Sequence, residues 1–348
     1  MGVSADDSRW PTPDPSRRRE GSASRDALVA SAGETIARGS KSFRMASLLF
    51  DRRTRERARL LYAWCRACDD IADGQVLGHG QQRQANAQER LSAMRVKTAA
   101  ALAGEVVGEM PFDALRLVAA ECALPPAFVW DHLDGFALDA REWRPRSEAD
   151  LLTYCYHVAG SVGCMMAIIM GVDPADTDTL DRASDLGIAF QLANIARDLS
   201  EDDAVGRCYV PEDWLTGLDI PPGEHMRPHY RGRIAVIGRW LGELAADYEA
   251  SARIGAARLP FRSRWAVLAA ADIYGEIARE VARRGAQAWD KRVVIPRSRK
   301  LRLVAQAWGE ARRPAPAEQP RDGLWTRPRS PAAALSAPPA AAPTGSRS

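Results

Sequence analysis

The chain has 348 residues, a length that fits one large all-helical enzyme core as well as two smaller domains. Its 48 Lys and Arg and 45 Asp and Glu give a net charge of +3, too balanced to favour nucleic acid as the main partner. The six cysteines are scattered through apolar segments, which indicates a reducing compartment and excludes a disulfide framework. Any functional charge must therefore be local.

Composition divides the chain into a core and two tails. Residues 1–24 are rich in Pro, Ser and Arg, and residues 312–348 in Pro and Ala, so both are expected to be disordered. No strand alternation of useful length occurs between them. Helical periodicity predicts one all-α domain over residues 25–311, with helices near 26–38, 51–73, 88–104, 111–122, 126–140, 148–170, 178–200, 231–256 and 263–286.

Two features of the sequence bear on whether the chain crosses a membrane. The N-terminal residues lack the apolar segment of a signal peptide. The most apolar window, residues 151–171, contains Tyr154, His157 and two glycines, which is more typical of a buried bundle helix than of a membrane span. No single amphipathic anchor stands out.

The first candidate site lies at the end of the second predicted helix. Asp69 and Asp73 are one turn apart, and Arg66 shares their face, whereas Asp70 points to the side. Such a charged face is either solvated surface or a functional site.

A second helix repeats the arrangement. Asp198 and Asp202 are again one turn apart, with Arg197 and Asn194 on the same stripe. Oxygen ligands from two facing carboxylate pairs suit Mg²⁺, which commonly bridges protein carboxylates to substrate phosphates. Arginines beside them would bind the remaining phosphate oxygens. The two motifs together predict a metal site that binds diphosphate.

Longer stretches of the chain carry a family resemblance. They are GSKSF, YAWCRACDDIADGQ, DHLDGFALDAR, YCYHVAGSVG, AFQLANIARDLSEDDAVGRCYVP, LPFRSRWAV and QAWDKR, in this order. The chain resembles the squalene/phytoene synthase family of head-to-head isoprenyl diphosphate synthases, and within it the bacterial phytoene synthases. The resemblance implies a single isoprenoid-synthase helical bundle around a central cavity.

The resemblance also implies roles for individual residues. The metal ligands would be Asp69, Asp73, Asn194, Asp198 and Asp202. Substrate diphosphate would contact Ser40, Lys41, Ser42, Arg66, Asn194, Arg197 and Arg292. The four aspartates would be catalytic together with Tyr154 and Tyr274.

Some of these positions have a structural alternative. Tyr154 and Tyr274 are also consistent with core tyrosines whose hydroxyls are hydrogen-bonded. His157 is interpreted as structural, and Asp134 and Asp139 are left out of the metal site because no Arg or Asn accompanies them. Gly160 and Gly163 are expected to permit close helix packing.

The resemblance implies a prenyltransferase that catalyses the first committed step of carotenoid biosynthesis. Two geranylgeranyl diphosphates condense head to head through prephytoene diphosphate to phytoene, with Mg²⁺ or Mn²⁺ and without NADPH. The alternatives are a squalene or dehydrosqualene synthase using farnesyl diphosphate, or a non-catalytic helical assembly or binding protein of the same fold.

The insolubility of phytoene in water bears on the cellular location of the enzyme. A water-insoluble product suggests a cytoplasmic enzyme that contacts the inner face of the membrane peripherally. Helical phase predicts an apolar tunnel lined by Phe43, Leu151, Val158, Met165, Met166, Ile169 and Leu192. Nucleic acid is not expected as a partner, and protein partners stay open.

Overall fold

The computed structural model describes residues 24–39, 46–73 and 87–329. Within these ranges the chain is helical and contains no strand, which confirms the all-α prediction. The main helices are α1 (Arg25–Gly39), α2 (Arg52–Asp73), α3 (Ala87–Leu102), α4 (Met110–Cys122), α5 (Pro126–Asp139), α6 (Glu148–Cys155), α7 (Ser161–Ile169), α8 (Thr177–Ala204), α9 (Glu212–Gly217), α10 (Arg231–Ala256), α11 (Phe261–Arg284) and α12 (Arg297–Ala311).

Most helices begin and end where the sequence predicts, because their caps are local. The Ser147 hydroxyl accepts a hydrogen bond from the backbone N–H of Asp150, and the Asp150 carboxylate accepts one from the backbone N–H of Ser147, so α6 starts with a capping box. Asp176 caps α8 by accepting from the N–H of Thr179 at 3.0 Å. Two helices, α9 and α12, were not predicted; α12 lacks large apolar groups at its start and carries many arginines.

Two large clusters make up most of the hydrophobic core. One cluster joins α6 to α8, α10 and α11, with Leu151 and Leu241 fully buried. The other cluster contains residues of the five helices α1 through α5 and of α7, with Trp64 and Leu133 fully buried. Together they form one domain in which helices surround a central space.

A π-helical turn joins α6 to α7, and the three together form one continuous helical rod, Glu148–Ile169. Residues Tyr156–Gly160 form this turn between α6 and α7. A π turn inserts one extra residue into the helical repeat, so the face that follows is rotated relative to the face that precedes it. The rod therefore packs into the first core cluster before the turn and into the second cluster after it.

Two glycines allow this rod to contact α8 closely. A Cβ at Gly187 would overlap the carbonyl oxygen of Ala159, and a Cβ at Gly163 would overlap that of Ala183. A side chain at Gly160 would likewise press on Ser184. The prediction that Gly160 and Gly163 serve close helix packing is confirmed.

Residues 312–329, here called the C-terminal strap, correct the prediction of a disordered tail from residue 312. Arg321 donates hydrogen bonds of 2.6 and 2.8 Å to the two carboxylate oxygens of Asp185, which is fully buried. Arg327 forms a 2.8 Å ion pair with Asp181. The strap is held by arginines bound to buried aspartates of α8. The prediction of disorder rested on the small number of large apolar groups, and such ion pairs do not enter that number. Residues 1–23 and 330–348 lie outside the described ranges.

One helical stretch of the described residues, Glu148–Ile169, is long and apolar enough to cross a membrane. Within its apolar window 61% of the residues are buried inside the bundle, and the stretch contains the π turn. It is thus a core helix of this fold, in agreement with the expectation from its polar residues.

Candidate active site

The central cavity has a volume of about 360 Å³ and lies between α2, α7, α8, α10 and α11. Its wall is mostly apolar, with a group of polar side chains at one end, and His132, Thr179 and Arg182 also line it. The apolar wall includes Phe50, Val158, Val162, Met166, Met170, Leu186, Phe190, Leu259, Ala266, Val267 and Ile273, and the polar end includes Tyr62, Asp69, Gln191, Asn194 and Tyr274.

The predicted lining was correct in part. Val158 and Met166 face the cavity, whereas Leu151, Met165, Ile169 and Leu192 are packed in the two core clusters. For Leu151, Met165 and Ile169 the error follows from the π turn, because the prediction assumed one continuous α-helical phase through residues 148–170. Leu192 lies on α8, where it is packed in the first core cluster. Phe43 lies outside the described residues.

The first aspartate motif reaches the cavity from the end of α2. Asp69 lines the polar end, close to Tyr62, whose hydroxyl pKa burial raises to about 12. Arg66 forms a 2.6 Å ion pair with Asp70 on the same helix, and its Nε is buried without a hydrogen-bond partner. Asp73 is the last residue of α2, and its side chain is outside the described part of the structure.

The second motif lies on α8, where three predicted residues are joined. Asp198 accepts a 2.6 Å hydrogen bond from Nε of Arg197. Arg292, from the segment before α12, donates to both oxygens of the same carboxylate at 2.9 and 2.8 Å. Burial raises the pKa of Asp198, but these two arginines outweigh it and the net shift is downward. The structure therefore brings Asp198, Arg197 and Arg292 together.

Asp202, one turn further along α8, is held very differently. Its carboxylate has neither a hydrogen bond nor an ion pair with another described residue, and burial together with the charge of Asp198 raises its pKa to about 7. A partly buried acid without a partner is a group that a cation would stabilise strongly. Asp69 and the Asn194 amide line this end of the cavity, and Asp198 and Asp202 follow Asn194 one and two turns further along α8. This set of oxygen donors fits a divalent metal.

Tyr274 is presented to the cavity by α11. Its ring stacks on Phe190 with the centroids 4.1 Å apart, and both residues line the cavity wall. The hydroxyl has no hydrogen-bond partner among the residues that the structure describes. Burial raises the pKa of Tyr274, and the positive charge of Arg197 opposes that shift, so Arg197 and this hydroxyl face a common space.

Tyr154 is placed apart from the large cavity. Its ring is stacked on Tyr209, 4.7 Å between centroids, and its hydroxyl donates to Asp139 at 3.2 Å. Tyr209 donates to the other oxygen of Asp139 at 3.0 Å. This geometry matches the alternative of a core tyrosine with a satisfied hydroxyl, although the network lies near the second motif, since the charge of Asp139 contributes to the raised pKa of Asp202.

The sequence motifs did not assign two polar residues of this region. Gln191 lines the cavity one turn before Asn194, and its place on the polar stripe of α8 was the available signal. Asp139 was set aside because no Arg or Asn accompanies it locally; its partners come from distant segments. Ser40, Lys41 and Ser42 lie outside the described ranges, and their predicted roles stay predictions.

A separate acidic group lies on the outer side of α5. Asp131, Asp134 and His157 bring ligand atoms within 4.8 Å of one another. These groups already have partners: the Tyr156 hydroxyl bonds to Asp131, Nδ1 of His157 lies 2.9 Å from the carbonyl oxygen of Asp131, and Arg95 pairs with Asp134. The contacts agree with a structural role for His157.

Comparison with known proteins gives a consistent result. Residues 36–299 match the family model described as squalene/phytoene synthase. The 15-cis-phytoene synthase of Pantoea ananas is 45% identical over 305 residues, covering 86% of this chain and 98% of that protein. The 15-cis-phytoene synthase of a Paracoccus species is 43% identical over 305 residues, covering 86% and 98%.

Solved structures share the fold. A dehydrosqualene synthase in complex with a ligand matches with a TM-score of 0.74 and 26% identity, over 82% of this chain and 97% of that one. A squalene synthase from Alicyclobacillus acidocaldarius matches with a TM-score of 0.66 and 22% identity, over 75% and 95%, which shows the fold alone. The chain belongs to the squalene/phytoene synthase family, whose members are prenyltransferases of the divalent-metal-dependent isoprenyl diphosphate synthase type.

Proposed function

We propose that this protein condenses two molecules of geranylgeranyl diphosphate head to head, through prephytoene diphosphate, to phytoene. The overall reaction releases two diphosphates and two protons, one proton when the cyclopropane of prephytoene diphosphate closes and one when the central double bond forms. The new carbon–carbon bonds form at the expense of the two carbon–oxygen bonds to diphosphate, and the central double bond of the product forms by proton loss. No electrons are gained, so the reaction needs no NADPH.

The length of the cavity is the observation that carries this proposal. Its wall follows α8 from Asn194 at the polar end to Thr179, a distance of about 22 Å at 1.5 Å per residue. An extended geranylgeranyl chain is about 19 Å long and a farnesyl chain about 14 Å, since each carbon–carbon bond of about 1.5 Å advances a zigzag by about 1.25 Å. The longer chain fills this space when its diphosphate lies at the polar end.

Mg²⁺ is the proposed ion, with Mn²⁺ as the alternative. It would be held by Asp69, Asp73, Asn194, Asp198 and Asp202, and when bound it would neutralise the diphosphate as a leaving group. Arg197 and Arg292 now bind Asp198 and would exchange that carboxylate for phosphate oxygens. The apolar wall would keep water from the carbocation, and the unpaired Tyr274 hydroxyl offers a polar group at the reacting end.

The proposed location is the cytoplasm, with peripheral contact at the inner face of the membrane. The support for it is chemical. The substrate has a charged head and a long apolar tail, and the product is a hydrocarbon that water does not dissolve, so transfer to a bilayer removes it from the enzyme.

A product assay tests the proposed function. Purified protein is incubated with Mg²⁺ and either geranylgeranyl or farnesyl diphosphate, with and without NADPH, and extracted products are identified by mass spectrometry. Phytoene from geranylgeranyl diphosphate without NADPH is the expected result. Product from farnesyl diphosphate alone would favour a squalene or dehydrosqualene synthase, and absence of product from either substrate would favour a binding protein.

A further inference from the structure

Four large exposed apolar side chains lie on one side of the bundle. Leu48 is 52% exposed, Phe261 44%, Leu301 63% and Trp308 39%. We call the surface formed by these four residues and the arginines around them the α12 face. The other large exposed apolar residues of the described chain are valines, such as Val96 on α3.

Contacts between elements make the α12 face continuous. Arg262 donates a 2.8 Å hydrogen bond to the carbonyl oxygen of Leu49, which connects the segment before α2 to the start of α11. The indole N–H of Trp265 donates to the carbonyl oxygen of Val304 at 2.9 Å, which connects α11 to α12. Leu301 and Trp308 lie one turn on either side of Val304 and so share one side of α12.

The same face is strongly basic. Arg297, Arg302, Arg312 and Arg313 are exposed and form no ion pair with another described residue, and the guanidinium of Arg312 stacks 3.9 Å above the ring of Trp308. The acid of α12 itself, Glu310, is engaged by Arg253 at 2.8 Å. Net positive charge around exposed apolar groups therefore remains uncompensated.

The face is connected to the cavity by apolar side chains. Phe50 and Val267 line the cavity at the end remote from the aspartates. Both pack with Leu49, which also contacts the cluster that joins α11 to α12. The apolar end of the active site is thus separated from the α12 face by one layer of apolar side chains.

We propose that the α12 face docks the enzyme onto a membrane that contains anionic phospholipid. Exposed Leu, Phe and Trp side chains would enter the interface while the arginines bind lipid phosphates, the arrangement of an interfacial amphipathic helix. A protein partner would need a separate acidic side chain placed opposite each of the four arginines. Anionic lipids diffuse within the bilayer and supply a negative charge to all four. This inference deepens the proposed function, because it supplies the surface through which an apolar product would leave.

Vesicle sedimentation with the full chain tests the docking surface directly. One set of vesicles is phosphatidylcholine alone, and the other contains phosphatidylglycerol in addition. The expected result is binding to the anionic vesicles, weakened at high salt, because each arginine near the surface contributes about fivefold to the partition coefficient. Equal binding to both vesicle types, or to neither, would overturn the proposal.

Variants locate the binding to this face. Arg297→Gln with Arg302→Gln is expected to lower the partition coefficient about 25-fold on the same scale. Leu301→Gln with Trp308→Gln should also lower it on anionic vesicles. The matched controls are Arg239→Gln, an exposed arginine of α10, and Val96→Gln, an exposed apolar residue of α3, and neither should change binding. Controls that reduce binding as strongly as the α12 variants would overturn the assignment.

Two further measurements separate this proposal from its rivals. Turnover of substrate dispersed in detergent should be the same in the wild type and all four variants, so a loss of vesicle binding is distinguishable from a failure of the proposed function. Sedimentation of the protein without lipid should give one species at all concentrations. Self-association that the Leu301 and Trp308 substitutions abolish, without vesicle binding, would assign the face to a second copy of the chain.

Discussion

Arg292 binds both carboxylate oxygens of Asp198, at 2.9 and 2.8 Å, across a sequence separation of 94 residues. The arginine thereby occupies a carboxylate that a metal ion would need. In the proposed site the two cations compete for Asp198 until diphosphate arrives, and diphosphate then supplies Arg292 with other oxygens.

Substitution of Arg292 should therefore act in opposite directions on metal and substrate. Arg292→Ala is expected to raise the affinity of the diphosphate-free protein for Mg²⁺ several-fold, because a competitor is removed. It should raise KM for the substrate about tenfold or more, because a charge-assisted hydrogen bond is lost. Calorimetric titration with Mg²⁺ and steady-state kinetics measure the two effects. Arg283→Ala, which removes an exposed arginine of α11, serves as control, and an unchanged KM in Arg292→Ala would contradict the assignment.

The two aspartates of α8 should respond differently to the same substitution. Asp198→Asn removes two ion pairs and is expected to lower the free energy of unfolding of the metal-free protein by about 1 to 2 kcal/mol. Asp202→Asn removes an unpaired acid and should raise it by about 1 to 2 kcal/mol at pH 8, allowing for partial exposure. Urea unfolding in the presence of a chelator measures both. Shifts of the same sign would show that repulsion between the two acids, and not their different partners, dominates.

The affinity for metal should depend on pH through Asp202. Its folded pKa of about 7 lies above the ordinary value of 3.8, so the folded protein holds a proton that the unfolded chain releases. The contribution of Asp202 to the free energy of unfolding of the metal-free protein is fully present below pH 4 and is lost as the pH rises through 7. A metal ion must displace the same proton, and its affinity should fall about tenfold from pH 8 to pH 6.

Mg²⁺ titration with inorganic diphosphate at several pH values tests this dependence. Asp202→Asn provides the control for the metal-free part, because its unfolding free energy should lack the decrease between pH 4 and pH 7. The same pH profile in wild type and variant would remove Asp202 as its source.

Filling the far end of the cavity should shorten the accepted substrate. Ala183 lines the cavity and lies about 16 Å from Asn194 along α8, which leaves room for a farnesyl but not a geranylgeranyl chain. Ala183→Phe is expected to lower kcat/KM for geranylgeranyl diphosphate about 100-fold and to change that for farnesyl diphosphate far less. Ala183→Ser is the size-matched control. Equal losses with both substrates would mean that the chain does not extend to this end.

The C-terminal strap should contribute to stability through one buried ion pair. Arg321→Met leaves the fully buried Asp185 without its cationic partner, with only the Ser251 hydroxyl bonded to it, and is expected to lower the free energy of unfolding by about 3 to 5 kcal/mol. Adding Asp185→Asn should restore most of that loss, since no unpaired charge remains. Thermal and urea unfolding compare these variants with Arg313→Met, an exposed arginine without an ion pair. If the double variant were no more stable than Arg321→Met, the pair would not be the cause.

The sequence predicted what local signals encode. The helical periodicity, the caps and the spacing of the aspartates placed Asp69, Asn194, Arg197 and Asp198 at one end of a bundle. The resemblance to the squalene/phytoene synthase family was confirmed by relatives over most of the chain.

Other features depend on partners that are remote in sequence. The strap is held by Arg321 on Asp185, 136 residues away, and Asp139 receives its hydrogen bonds from Tyr154 and Tyr209. Helix α12 was missed because its apolar side is narrow and its surface is basic, a pattern typical of an exposed helix as well as of a loop. The cavity wall was misassigned along residues 148–170 because one π turn alters the helical phase there.

That π turn, Tyr156–Gly160, lets a single rod meet two requirements that one α-helical face does not satisfy together. Before the turn the rod needs large side chains in close contact, and Leu151 and Leu152 supply them. From the turn onward the rod needs a smooth wall beside an open space, and Val158, Val162 and Met166 recur every four residues along it. Substitutions in one half can therefore reshape the space for the isoprenoid chain while the packing of the other half stays as it is.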